Sequence, residues 1–273
     1  MIPLTQHDTM PLVNPGGDNA TVKQENDHQA EQGVSEMKKA VLSVIVALVG
    51  LFLSTGMAAA YGPYTSGTIG VDIGWANCSA SVPSVTFGIV GVTDGQGYST
   101  SPCIAQEASH FKNLSLYVNT GWYDQSSHIN HTYPKVCAPG DENCLAYNYG
   151  YNAGLYALNA AQSVGVASTT WWLDVETANT WNTNVVQNQI SLQGEYDALM
   201  ANGVTIVGVY STTAQWQSVT GSWQNNWLSW GATTWRTAKQ AQTYCTGHQF
   251  TGGTSYLMQY KPSGAKIDYD VAC

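Results

Sequence analysis

From Thr68 onwards the chain alternates between short apolar runs and amphipathic stretches. Thr68–Ile73, Val85–Val92, Leu114–Asn119, Thr170–Glu176 and Val204–Tyr210 are largely continuous apolar runs, rich in β-branched and aromatic residues. That pattern predicts strands buried on both faces, as in a parallel sheet. Helices are predicted between them. Ser101–Phe111 follows a Pro-containing turn. Cys144–Val164 carries Tyr147, Tyr151, Leu155, Leu158 and Ala161 at helical spacing. Asn184–Ala201 carries Val186, Ile190, Tyr196, Leu199 and Met200, with Gly203 as a stop. Repeated strand–helix alternation predicts an α/β fold. In the last third, Trp227–Gly231, Tyr256–Tyr260 and Lys266–Val271 read as strands with little helical pattern between them. Five βα units and three further strands make eight, the number that closes a barrel. A doubly wound open sheet is the alternative. Its glycine fingerprint is incomplete, because Gly95-Gln96-Gly97 is followed by Thr100 where a third glycine would stand.

The first 60 residues follow another pattern. Residues 1–36 hold six acids, one Lys, no aromatic residue and no Cys, which reads as a solvated acidic tail. Met37-Lys38-Lys39, the apolar run Ala40–Leu53 and Ala58-Ala59-Ala60 are the three parts of a secretory signal over 37–60. Two readings follow: Met37 is the true start, or the tail is a cytoplasmic extension of an uncleaved signal anchor. The first is expected. Residues 61–273 then form one exported domain, monomeric, with membrane contact only if the signal is retained.

Charged residues are only 10% of the chain, and the net charge is −9. Nine Lys and Arg in all exclude the basic stripe of a nucleic-acid binder. Ten Trp and sixteen Tyr exclude a solvated, unfolded domain. All six cysteines follow the export signal, and an even count there predicts disulfides. Cys137 and Cys144 flank the hydrophilic loop 138–143. Cys78 and Cys103 follow the first two strands at one end of the sheet, which leaves Cys245 with Cys273. The chain has no C-x-x-C, and His128 and His131 lie in a polar loop, so no metal or other cofactor is expected. Sequons at Asn77, Asn113 and Asn130 matter only in a glycosylating host.

The segment Trp171-Trp172-Leu173-Asp174-Val175-Glu176 carries the most chemistry. Strand side chains alternate, so Trp172, Asp174 and Glu176 share one face and Trp171 takes the other. In a barrel the first set points inward, with both carboxylates at the C-terminal end where barrel active sites are built. Two carboxylates so placed raise each other's pKa, leaving one protonated as a general acid. Other strand ends converge on the same place: Asp72, Asp94, Asn119, Tyr210, and Asp268 with Asp270 at period two. No G-x-S-x-G elbow is present, which removes the main support for an esterase or peptidase.

Gly70-Val71-Asp72-Ile73, Val90-Gly91-Val92-Thr93-Asp94-Gly95, Leu173-Asp174-Val175-Glu176, Val207-Gly208-Val209-Tyr210-Ser211 and Met258-Gln259-Tyr260…Ile267-Asp268 occur in a familiar order. Together they resemble glycoside hydrolase family 25, the Chalaropsis-type lysozymes or muramidases. The likeness is closest to a secreted, disulfide-containing branch and runs from about Thr68 to Cys273. It implies a TIM-like barrel of the (β/α)5β3 type. It also implies catalytic roles for Glu176 as acid, for Asp174 as stabiliser of the intermediate or orienter of an N-acetyl group, and for Asp72 and Asp268. Trp172, Tyr210, Asn119, Asp94 and Asp270 are then expected to contact substrate. The chain departs from the family at Gly74-Trp75-Ala76-Asn77, where Ser and Trp-Gln-Gly are usual, and at Asp270, where Asn is usual. The expected function is cleavage of β-1,4 bonds in peptidoglycan or related N-acetylated glycans, with an acid pH optimum. The alternative is a glycan-binding or wall-associated barrel without turnover.

Overall fold

A computed structural model describes residues 62–273. The acidic tail expected at 1–36 and the export signal expected at 37–60 lie outside the described residues. Among the described residues, no helix is long and apolar enough to cross a membrane.

Eight strands close into a barrel in chain order: β1 (Ile69–Ile73), β2 (Phe87–Gly91), β3 (Leu114–Asn119), β4 (Thr170–Asp174), β5 (Ile206–Ser211), β6 (Leu228–Ala232), β7 (Ser255–Tyr260) and β8 (Asp268–Ala272). β1 to β7 run parallel, and β8 is antiparallel to both β7 and β1. This agrees with the predicted barrel and removes the open doubly wound sheet. The helices are α1 (Ile104–Ala108), α2 (Glu142–Ser163), α3 (Val185–Ala201), α4 (Thr213–Thr220) and α5 (Ala238–Gln242). One 3₁₀ turn, Trp75–Asn77, follows β1.

The strands read as continuous apolar runs because both faces are buried. Every residue of β2 and of β4 is buried. The outward set includes Val71, Val90, Leu116, Trp171 and Val209. It packs against Leu158, Leu192, Leu199 and Trp216 from the helices. The inward set, Phe87, Ile89, Trp172, Trp230, Leu257 and Ala272, fills the barrel. Side chains the size of Phe87, Ile89 and Leu257 contribute roughly 1.5–3 kcal/mol each on burial. Gly208 makes room for the Trp172 indole, since a Cβ there would collide with the six-membered ring. Tyr64 closes the N-terminal end: its hydroxyl pairs with Ser115 at 2.5 Å and accepts from the Trp172 Nε1–H at 3.2 Å.

Three differences from the predicted elements have local causes. α1 is shorter than Ser101–Phe111, because Phe111 leaves the helix axis to cover Gly88. α4 was not predicted; it is started by Thr212, whose side chain accepts from the Gln215 N–H, and ended by Gly221 at φ 66°. β4 stops at Asp174 rather than Glu176. All three disulfides pair as expected: Cys78–Cys103, Cys137–Cys144 and Cys245–Cys273.

Candidate active site

Strand parity brings Asp72, Asp174, Tyr210 and Gln259 to the C-terminal mouth of the barrel. Asp268 joins them because β8 runs the other way, and it sits opposite Asp72 in the register. Asp174 is paired across the sheet with Asn119 on one side and Tyr210 on the other.

Asp174 is 6% exposed. Its Oδ2 accepts from the Asn119 Nδ2–H at 2.5 Å, and Asn119 is itself fixed by the Thr93 hydroxyl at 2.6 Å. Its Oδ1 has no hydrogen-bond partner. Burial, then the neighbouring charges of Glu176 and Asp72, push the Asp174 carboxyl well above the usual carboxylate range.

Glu176 lies two residues beyond the strand, so alternation alone does not place it. Loop hydrogen bonds do. The Val175 N–H donates to the Tyr210 carbonyl, and the Ser211 hydroxyl donates to the Val175 carbonyl. The Trp181 Nε1–H donates to the Glu176 carbonyl at 2.8 Å. Gln215, in the first turn of α4, accepts from the Thr177 N–H at 3.0 Å and hydrogen-bonds the Glu176 carboxylate. The Glu176 side chain is half-buried, and burial raises its pKa while the Gln215 contact opposes the rise. Asp72 is pushed up to about 7 by burial and by Asp268. Its Oδ2 accepts from the Gln259 Nε2–H at 3.0 Å, and Gln259 Oε1 accepts from the Tyr210 hydroxyl at 2.9 Å. Asp268 is paired with Lys261 at 3.2 Å.

Several expected substrate contacts are placed otherwise. Trp172 faces inward as parity predicts, but it is fully buried beside Trp230 and offers no face to a ligand. Asn119 is 6% exposed and its amide is engaged at both ends, so it positions Asp174. Asp270 is fully buried one layer below the mouth. Asp94 stands exposed on the turn after β2, its N–H bonded to Ser99 Oγ. The exposed aromatics on the C-terminal loops include Trp75, after β1, Tyr123 and Tyr133, after β3, and Trp235, after β6. Trp75 leans on Gly95 of the next loop. Sequence reasoning missed Gln215 and Gln259. The Thr212-x-x-Gln215 helix-start pattern was the one available signal for the first.

A cavity of about 470 Å³ lies at the opposite end of the barrel, lined by Lys112, Leu158, Ser168, Trp171, Asn202 and Val204, and it touches none of these carboxylates. Among the described residues, Cys78, Cys103 and Glu107 group their potential ligand atoms closely enough for a metal. Both sulfurs are spent in a disulfide, whereas metal ligation needs thiolates.

No family model and no curated protein matches the chain. Among solved structures it is similar to a muramidase from Acremonium alcalophilum, at 16% identity over 76% of this chain and 93% of the other, TM-score 0.49. It is also similar to a lysozyme from Streptomyces coelicolor, at 14% identity over 77% and 93%, TM-score 0.48. A third is a glycosyl hydrolase 25 of Streptococcus pneumoniae, described as a virulence factor participating in host cell invasion, at 14% identity over 76% and 87%, TM-score 0.48. The likeness is one of fold, at low identity.

Proposed function

We propose that the chain is an exported, lysozyme-like glycoside hydrolase. It cleaves β-1,4 bonds in peptidoglycan or a related N-acetylated glycan by carboxylate acid catalysis. The observation that carries this reading is the Glu176–Asp174 pair at the barrel mouth. Glu176 is half-buried, reachable from solvent, and burial favours its protonated form. That is what protonation of a glycosidic oxygen requires. Asp174 is fixed by Asn119 and keeps Oδ1 free of partners. An N-acetyl N–H of a bound sugar would satisfy that oxygen and favour its ionised form, and the carboxylate would then orient the acetamido group or stabilise positive charge at the anomeric carbon. Asp72, held by Gln259, stands at the same mouth. The resemblance of the sequence to family 25 supplies the bond type. Trp75 and Trp235 are among the exposed aromatic faces of these loops on which sugar rings would stack.

Digestion of purified peptidoglycan followed by mass spectrometry of the soluble fragments tests the reading. New reducing ends at one class of sugar are expected, with the peptide stems intact. Glycan that is retained but never cut would replace it with the binding-protein alternative.

A further inference from the structure

Asp270 is the acid that the proposed chemistry leaves unused, and its surroundings are unusual. It lies in β8, opposite Gly70 of β1 and Gln259 of β7, and it is 0% exposed. Oδ1 accepts from the Trp230 Nε1–H at 2.7 Å. Oδ2 has no amide, hydroxyl or amine partner. The carboxyl of Asp72 stands within hydrogen-bonding reach.

The titratable groups facing it offer an anion no help. Asp72 from β1 and Asp268 from its own strand carry the same charge. Tyr64 from the N-terminal segment, Tyr210 from β5 and Tyr260 from β7 also feel its charge. Their phenols are neutral at working pH, and the Tyr64 hydroxyl is already committed to Ser115 and Trp172. Lys261 is taken by Asp268 at the rim. An ionised Asp270 would be a buried charge with one donor and two like-charged neighbours, which is costly. A neutral carboxylic acid has one O–H to give, and Asp72 is an acceptor in need of it.

We propose that Asp270 keeps its proton and donates it from Oδ2 to the Asp72 carboxylate, acting as a positioning residue for Asp72. Two donors then fix Asp72, the Asp270 hydroxyl from β8 and the Gln259 amide from β7. Burial is the largest influence raising both carboxyls, and their shared contact lowers Asp72 while raising Asp270. The placement of the proton stands on this geometry. Its consequence for turnover rests on the glycosidase reading.

Wild type, Asp270→Asn and Asp270→Ala, each as the full exported chain, test the proposal. An amide can donate to Asp72 and accept from Trp230 with nearly the same shape. Infrared difference spectra at pH 8 are expected to show a protonated-carboxyl carbonyl band in wild type that both variants lack. The thermal midpoint of Asp270→Asn should equal or exceed wild type at pH 8, and Asp270→Ala should fall below both. In the pH–rate profile, Asp270→Ala should move the Asp72 titration up by about one pH unit, with Asp270→Asn staying nearer wild type. Absence of an Asp270-dependent band, or equal destabilisation of both variants at pH 8, overturns the assignment. If wild type shows no turnover, the band and the midpoints still decide the proton's place, and only the glycosidase reading fails.

Discussion

Glu107 offers a measurement of what burying a carboxyl costs this fold. It lies in α1, is 2% exposed, and neither carboxyl oxygen has a hydrogen-bond partner. Burial raises its pKa from 4.5 to about 7. At 1.36 kcal/mol per pH unit, that is about 3 kcal/mol between the two protonation states. Below pH 4.5 the acid is neutral in folded and unfolded chains alike, so no ionisation cost arises. As pH rises toward 7 the unfolded chain ionises first, and stability is lost progressively. Above pH 7 the loss is complete. Glu107→Met removes the ionisable group and keeps an unbranched side chain of similar length. Relative to wild type it should gain about 2–3 kcal/mol at pH 8 and change little at pH 4. Guanidinium unfolding curves at pH 4, 6 and 8, with disulfides intact, read the difference directly. A variant equally or less stable than wild type at pH 8 would refute the reasoning, as would a gain that does not grow with pH.

Three further outcomes follow. Glycan hydrolysis should peak in acid and fall as pH rises, because Glu176 must keep the proton that burial helps it hold; a pH–rate profile with an optimum above about pH 8 would contradict this. Gly208→Ala should cost about 1–3 kcal/mol or more, since its methyl enters the space of the Trp172 ring, and thermal unfolding checks it. Trp75→Ala should weaken binding of long glycans about fivefold with little change in fold, because half of that indole is exposed and only a stacking contact is lost; isothermal titration with an inactive background variant measures it.

The barrel was legible because its strands are buried on both faces. Continuous runs such as Phe87–Gly91 and Thr170–Asp174 have no solvent side to interrupt them. Parity separated Trp171, in the outer layer, from Trp172, in the interior. It could not say that Trp172 lies too deep to meet a ligand, since depth depends on Tyr64, 108 positions away. Cys78–Cys103 was legible from the strand ends its cysteines follow, Cys137–Cys144 from the hydrophilic loop between them, and Cys245–Cys273 as the remaining pair. Strand alternation does not reach Glu176: Gln215, Trp181 and Ser211 hold that loop, and such contacts carry no periodic signal. Gln259 was hidden for the same reason. Glu107 and Glu195 are both buried, a fact that only the packing of their helices reveals. α4 escaped notice because its eight residues are mostly polar, with Trp216, Val219 and Thr220 alone facing inward.

The proposed delivery of a proton by Glu176 to a glycosidic oxygen is tested most directly by comparing wild type with Glu176→Gln on two substrates: peptidoglycan, whose sugar leaving group needs protonation, and an aryl glycoside of the same sugar whose phenolate leaves unaided. The amide should fit the half-buried site without a cavity but cannot give a proton. On peptidoglycan, kcat/KM should fall 10²–10⁴-fold. On the activated glycoside it should fall far less. Equal losses on both substrates, or equal release of reducing ends from peptidoglycan by the two proteins, would contradict the assignment.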